Sequence, residues 1–396
     1  MKTCYILLFL MLAMSITSGC NAVKLVDDLS EKASASGQKQ VVSDKIEKKL
    51  EDMQGIIYEN FYFDTEDEQT QEYIYKGMMQ SLQDPYSVYY TADEYKSLQE
   101  SNSGEYVGIG VQVQQDADTG FISIVRVFDG PAKEAGILKG DIITEVDGED
   151  IRDKEVNEVI KGIKGKEGTK VTVTMYRKDE KRYIDFEMKR KKVENPTVTY
   201  EMLDEQIGYI SVTEFYEVTA QQFRLAVENL KVQGMKGLVV DLRDNGGGLL
   251  DIAVDMLDFM LPEGKIVYTE DKYGNITSEY NSTNDEQFTL PLAVLVNENS
   301  ASASEIFAGA IKDHGIGKII GTTTYGKGIV QRLFPLGDGS ALKLTISKYF
   351  TPNGNDIHKI GIEPDIEVEL DEGLKTKSDI EKGEDNQLQA AIRAIQ

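Results

Sequence analysis

Beyond Pro196, short apolar runs alternate with helical stretches, and this alternation constrains the fold more than any other feature of the chain. The runs at 207–212, 237–242, 293–296 and 318–321 have the short, turn-bounded pattern of strands. Residues 221–230, 249–260 and 303–313 lie between or after them as helices. Strand and helix in succession predict an α/β core, with the residues of chemical interest where strands give way to helices.

The residues before Pro196 follow other periods. From 41 to 98 apolar side chains recur at helical spacing, first in Ile46, Leu50, Met53, Ile56 and Ile57 and then in Tyr73, Ile74, Met78, Met79 and Leu82, which predicts two or three helices. Residues 104–192 switch to period two, with Val107, Ile109, Val111 and Val113 followed by short runs at 122–127, 142–146, 171–175 and 184–188. One helix, at 156–163, is expected among these strands. The chain therefore divides into a leader at 1–20, a tether at 21–40, a helical region at 41–103, a β-rich domain at 104–192, an α/β core at 193–372 and a C-terminal tail and helix at 373–396. The tether is rich in Ser, Lys and Gln and has no period.

A chain of 396 residues exceeds one typical domain. Its net charge of −25 argues against nucleic acid as a partner, because phosphate binding needs basic patches. Both cysteines, Cys4 and Cys20, fall in the leader, so the rest can form no disulfide, cysteine nucleophile or thiolate metal site. Lys2, the apolar run 5–16 and Thr17-Ser18-Gly19-Cys20 have the layout of a secretory signal, which predicts export. A cysteine directly after small residues resembles a bacterial lipoprotein box, with Thr17 in place of its usual Leu; the resemblance implies a lipid on Cys20 and attachment to a membrane. The apolar run is short of the ~20 residues that span a bilayer.

Ser302 lies in the run Asn299-Ser300-Ala301-Ser302-Ala303-Ser304-Glu305, between the strand at 292–296 and a helix beginning near Ala303. A nucleophile at a helix start gains from the positive end of the dipole and from free N–H groups that can hold an oxyanion. A plain helix cap, built from Ser300, Ser302 or Ser304 with Glu305, is the competing reading. With only His314 and His358 in the chain, a lysine base is the readier partner for a serine. Lys327, between Gly326 and Gly328, is the candidate. It must be neutral to act, and at the reference pKa of 10.4 only about one lysine in 2,500 is neutral at pH 7. A Ser/His/Asp set with Asp313 and His314 is disfavoured, since His314 follows Ser302 by about three turns of one helix.

Two nucleotide motifs compete for the same glycines. Gly321 to Lys327 fits a phosphate loop except that Gly328 replaces its Ser or Thr and the next residues alternate like a strand. Asp241-Leu242-Arg243-Asp244-Asn245-Gly246-Gly247-Gly248 joins a strand to a helix, an anion-binding arrangement whose N–H groups can contribute to an oxyanion hole; a plain tight turn is the alternative, and the glycine spacing does not fit a dinucleotide fingerprint.

These segments, with Tyr349 to Gly354 and Gly361 to Asp365, resemble the C-terminal processing peptidases, or tail-specific proteases, over about 41–369. The resemblance implies Ser302 as nucleophile, Lys327 as general base and Gln331 as the residue orienting the lysine. It places the oxyanion hole at the N–H of Ala303 and of a glycine in the loop, Gly247 or Gly248. Residues 104–192 resemble a PDZ domain, with Val107-Gly108-Ile109-Gly110-Val111 as the loop that captures a peptide carboxylate while the peptide adds as a strand. Where family members carry Arg, this chain has Lys164, which lacks the planar bidentate fork. The expectation is an exported serine endopeptidase acting on proteins with free C-terminal tails, without metal or organic cofactor, and associating as a homodimer through its terminal helices. A catalytically inactive peptide-binding scaffold is the alternative, and an acyl-transferring hydrolase of small molecules a third reading.

Overall fold

Strand Val198–Met202 runs antiparallel to Ile207–Val212, which opens a parallel series through Gly237–Asp241, Leu292–Val296, Lys318–Gly321 and Ile366–Glu367. Parallel strands covered on both faces need apolar side chains at every position, and Leu292–Val296 is buried throughout. On one face the helices Thr219–Val232, Leu250–Asp258 and Ala303–His314 enclose Phe223, Leu230 and Phe307 against Leu238, Val240 and Val294. Alternate residues of the same strands, Val239, Ala293 and Leu295, meet Leu388, Ala391 and Ile395 from the C-terminal helix Asn386–Ala394 and the residue after it. The alternation of side chains across a strand thus gives the core two apolar layers, each fully buried Leu or Phe contributing about 1.5–3 kcal/mol.

This is a computed structural model, and it describes residues 43–117, 119–283, 287–377 and 380–396. Cys4, Cys20, the expected signal and the tether lie outside the described residues. Among the described residues no helix is long and apolar enough to cross a membrane. The contacts divide the chain into two units, one comprising residues up to 97 with 331–346, the other 98–330 with 347–396.

The expected α/β alternation is present, with boundaries shifted by one or two residues. The sequence reading overlooked the hairpin Gly264–Glu270 and Ile276–Ser282, whose first strand also pairs with Lys348, Tyr349 and Phe350.

In the β-rich domain five strands order as Val111–Gln115, Ile122–Val127, Ile142–Val146, Lys170–Arg177 and Arg182–Lys189. Helix Val156–Ile163 closes one side through Val159 and Ile163. The expectation of a single helix is corrected by a second, Pro131–Ala135, with Pro131 at its start and left-handed Gly136 (φ 84°) at its end. Five residues are too few to register as a helical period.

In the other unit, helices Asp44–Asn60 and Asp67–Gln80 bear out the helical spacing, yet only Met79 among their residues is buried. Met53, Ile56 and Met78 are 47%, 63% and 62% exposed, so this stripe is not a core face among the described residues.

Candidate active site

Adjacent parallel strands end on one edge of a sheet, and the loops that leave them meet there. Gly237–Asp241 leads into the glycine loop, Leu292–Val296 into the segment ending at Ser302, and Lys318–Gly321 into the segment carrying Lys327. Ser302 begins the helix Ala303–His314 with φ 56° and ψ −112°, a conformation L-residues rarely adopt, so the surrounding contacts must hold it.

Glu305 supplies much of that hold. Its carboxylate has no exposed surface. One oxygen, Oε2, accepts from the backbone N–H of Ser302 at 2.9 Å and from that of Lys327 at 2.8 Å. The other, Oε1, accepts from Thr324 Oγ1 at 2.6 Å and from the N–H of Gly326 at 2.7 Å. Four donors offset the cost of burying a charge. Because one oxygen reaches both amides, residues 302 and 327 are neighbours although 25 positions separate them in the chain. The bond from Ser302 N–H is half of a capping box, so the cap reading and the catalytic reading of this segment coexist.

Tyr349 joins the same two residues from their carbonyl side. Its hydroxyl lies 3.1 Å from the Ser302 carbonyl oxygen and also donates to the Lys327 carbonyl. Burial, reinforced by the charge of Glu305 and opposed by a hydrogen bond with the Ser302 side chain, pushes this phenol well above its usual pKa, so it stays a neutral donor. The lysine loop needs its glycines for close approach: a Cβ on Gly328 would sit 2.5 Å from the His358 amide nitrogen, and one on Gly326 3.0 Å from that of Ile360.

Asn245, fully buried, ties the glycine loop to the serine loop. Its carbonyl accepts from the Ala301 N–H at 3.0 Å and from Ser304 Oγ at 2.9 Å, and its side chain donates to the Val212 carbonyl. Gly247 N–H donates to Asn245 Oδ1 at 2.8 Å, and a Cβ on Gly247 would stand 2.8 Å from that of Ser302. Closeness to the serine is thus what Gly247 provides. The N–H groups of Gly248 and Ala303 donate to no backbone acceptor among the described residues.

Gln331 lies in the strand Ile329–Pro335, within the other unit, and its Nε2 is 3.4 Å from Thr345 Oγ1. A strand follows Lys327 where a phosphate loop requires a helix, which removes that rival. His314 closes the far end of the helix that Ser302 begins, 2.7 Å from the Lys265 carbonyl, and Asp313 accepts from Asn353 N–H at 2.8 Å. Neither faces the serine. Sequence reasoning quoted Glu305 only as a cap and missed Asn245 and Tyr349 as functional residues. Both lie in segments that carry the family resemblance, Asn245 in the glycine loop and Tyr349 at the start of 349–354, but neither segment by itself shows a bond to the serine or lysine loop.

Val107 and Gly108 end the strand Glu105–Gly108, and Ile109, Gly110 and Val111 lead into Val111–Gln115. Ile109, Gly110 and Val111 line a groove of about 540 Å³ against Ile160 and Ile163 of the helix. Lys164 is the C-cap of that helix, its Nζ 5.2 Å from the centre of the Tyr106 ring.

Three sequence models match the chain: peptidase family S41 over residues 206–368, a PDZ domain over 107–188 and the N-terminal domain of the activating protease CtpB over 10–94. The chain belongs to peptidase family S41. The first match contains the serine and lysine loops, the second the groove. The chain is 38% identical, over 81% of its length, to a Staphylococcus aureus (strain COL) protein named "Probable CtpA-like serine protease", and 40% identical, over 74%, to one of the same name from Staphylococcus haemolyticus (strain JCSC1435). It spans 64% and 58% of those relatives. The solved S41 protease from Bacteroides fragilis, 18% identical with a TM-score of 0.51 over 84% of this chain and 90% of that one, has the same fold.

Proposed function

We propose that the chain is a serine endopeptidase in which Ser302 attacks a peptide carbonyl and Lys327 takes its proton. The lysine then protonates the leaving amine, and a water releases the acyl-enzyme. The observation that carries this reading is the double link between residues 302 and 327, through the Glu305 carboxylate and the Tyr349 hydroxyl. The N–H groups of Ala303 and Gly248 would receive the oxyanion, with the helix dipole behind Ala303. Gln331 would orient the lysine. Substrates are proteins with free C-terminal tails, held in the groove as an added strand beside Val111–Gln115.

The test is turnover of an unstructured protein by the native chain, Ser302→Ala and Lys327→Ala, with circular dichroism to verify folding. Both variants should be inactive and fold normally. A folded Lys327→Ala chain that still cleaves refutes the dyad, and a native chain that binds tails without cleaving them favours the scaffold reading.

We further infer export with a lipid on Cys20, supported by Lys2, the apolar run and the small residues before the cysteine. Mass spectrometry of the mature N-terminus decides it, and an N-terminus elsewhere than Cys20 removes the anchor. The exposed Ile46, Leu50, Met53, Ile56 and Ile57 support a homodimer, since apolar faces of this extent mark association. Light scattering that returns a monomer mass overturns that assignment.

A further inference from the structure

Three consecutive glycines, Gly246 to Gly248, give the loop after Gly237–Asp241 little conformational preference of its own. If its N–H groups are to receive an oxyanion, bonds to other segments must set where they stand. Phe215 supplies two such bonds at the far end, its N–H donating to the Gly247 carbonyl at 3.0 Å and its carbonyl accepting from Leu249 N–H at 2.8 Å. The near end, Arg243 and Asp244, is held by two further sets.

Asp244 has φ 60°, a left-handed conformation that a non-glycine residue keeps only under restraint. The restraint comes from the segment leading to the serine. Its N–H donates to Asn297 Oδ1 at 2.9 Å, and its Oδ1 accepts from Asn297 Nδ2 at 2.9 Å and from Asn299 Nδ2 at 2.8 Å. Arg243 reaches instead to the C-terminal helix Asn386–Ala394 and the cap before it. Its Nη2 donates to Asp385 Oδ2 at 2.8 Å, its Nη1 to Asp385 Oδ1 at 3.1 Å and Gln387 Oε1 at 2.9 Å, and its Nε to Asp241 Oδ1 at 2.9 Å. Asp385 caps the helix by accepting from Leu388 N–H at 2.9 Å, and Leu388 and Ala391 are buried with Val239 and Leu295 in one apolar cluster. The side chains of Asp385, Asp241 and Arg243 are only 5%, 7% and 14% exposed. Charge-assisted bonds so shielded are strong and fix geometry. Two adjacent residues thus tie one loop to the serine segment and to the C-terminal helix.

We propose that Arg243 is a positioning residue for the oxyanion loop, and that the C-terminal helix belongs to the active-site assembly through Asp385 and Gln387. Arg243 acts through the loop rather than on the substrate: it sets where the chain leaves its strand, and so where the amides after it stand. The inference rests on the reading of Ser302 as nucleophile and of this loop as half of the oxyanion hole.

The test uses the full chain and measures turnover of an unstructured protein together with inhibition by a peptide aldehyde. The serine oxygen adds to the aldehyde carbon, its proton passes to Lys327, and the former carbonyl oxygen then lies where the oxyanion forms. Arg243→Ala should lower kcat roughly tenfold to a hundredfold, leave KM within about twofold and weaken the aldehyde by the same factor as kcat. Arg243 lines a cavity of about 520 Å³, so added guanidinium has a route to the place of the missing side chain, and millimolar concentrations should restore part of the rate. Arg243→Lys, without the planar fork, should stay slow. Asp385→Asn, which can still cap the helix, should lower kcat several-fold, and the double variant should lose no more than Arg243→Ala alone. Should Arg243→Ala fail to fold, Asp385→Asn decides by the same split between kcat and KM. Folded variants with full kcat overturn the proposal, as does a loss of kcat without a matching loss of aldehyde affinity. A native chain that neither cleaves nor binds the aldehyde removes the dyad reading, and the positioning role falls with it.

Discussion

The loops around Ser302 are held by side chains with no exposed surface, among them Glu305, Asn245 and Ser304, whereas the groove is walled by half-buried residues such as Val111, Val113 and Ile160. In the first region Glu305, Asn245, Ser304 and Tyr349 each bond to another segment of the protein. The second is an open groove lined by the strand edge at 109–113 and apolar side chains. On the proposed reading a nucleophile and base lose rate when misplaced by an ångström, which is what two-sided binding of the backbones at residues 302 and 327 guards against. A groove that accepts an added strand gains most of its energy from main-chain hydrogen bonds and tolerates adjustment of its walls.

If the comparison holds, the sharpest break comes from Glu305→Ala. Its loss leaves three backbone amides and the Thr324 hydroxyl without an acceptor at a buried site. We expect a loss of about 3–5 kcal/mol in chemical unfolding, comparable to removing one partner of a buried charged pair, and no turnover. Glu305→Gln keeps the shape but aims an NH2 at N–H donors. It should lose less stability and remain inactive, and a fully active Glu305→Gln chain would show that the bridge is not needed for placement.

Tyr349→Phe is the milder probe of the same region. Removing the hydroxyl leaves the packing intact and takes away the donor shared between the Lys327 and Ser302 carbonyls, so stability should fall by about 1–3 kcal/mol. The kcat should fall between tenfold and a hundredfold with KM little changed, since the groove is untouched. Full kcat paired with a raised KM would reverse the assignment.

These two residues also mark where the sequence stops being legible. Ser302 and Lys327 stood out because small residues flank them and strands precede them, all of it local information. Glu305 carried a local signal as well, but only for its first bond, the one to Ser302; its bonds to Thr324, Gly326 and Lys327 come from a loop brought alongside by strand pairing. Tyr349 reaches both residues from a strand 47 positions after the serine, and although its segment is part of the family resemblance, nothing local to it announces bonds to the serine and lysine loops. The strand and helix order of the core was legible because burial on both faces writes continuous apolar runs. The hairpin Gly264–Glu270 and Ile276–Ser282 was not, since its second strand is mostly exposed and reads as polar loop.

A smaller effect is expected where the C-terminal helix meets the glycine loop. Arg243 pairs with Asp241 at 2.5 Å and with Asp385, the N-cap of that helix, at 2.8 Å. Burial alone would raise the Asp385 pKa, but the hydrogen bonds and charge of Arg243, with the helix amides, hold it below the usual carboxylate value. A depressed folded-state pKa gives stability that is present above the unfolded value of about 3.9 and lost as pH falls through the folded one. Thermal unfolding of the native chain should therefore decline more steeply below about pH 4 than that of Asp385→Asn. Parallel acid limbs would show that this carboxylate is not part of the acid response.

The smallest effect belongs to the groove wall, and it sharpens the comparison by separating stability from selection. Ile160 is half-buried on the helix beside Val111–Gln115, so Ile160→Ala gives up only part of the apolar burial of an isoleucine, about 1 kcal/mol. Cleavage of a substrate whose tail is blocked should be unchanged, because no catalytic loop contains this residue. Tail preference should move toward a larger last side chain, Phe over Val, as the lost methyls widen the groove. A peptide series read by anisotropy in the Ser302→Ala background measures that shift. An unchanged ranking would mean that the terminal side chain does not rest on this wall, and a loss of cleavage on the blocked substrate would mean that the two regions are not separable.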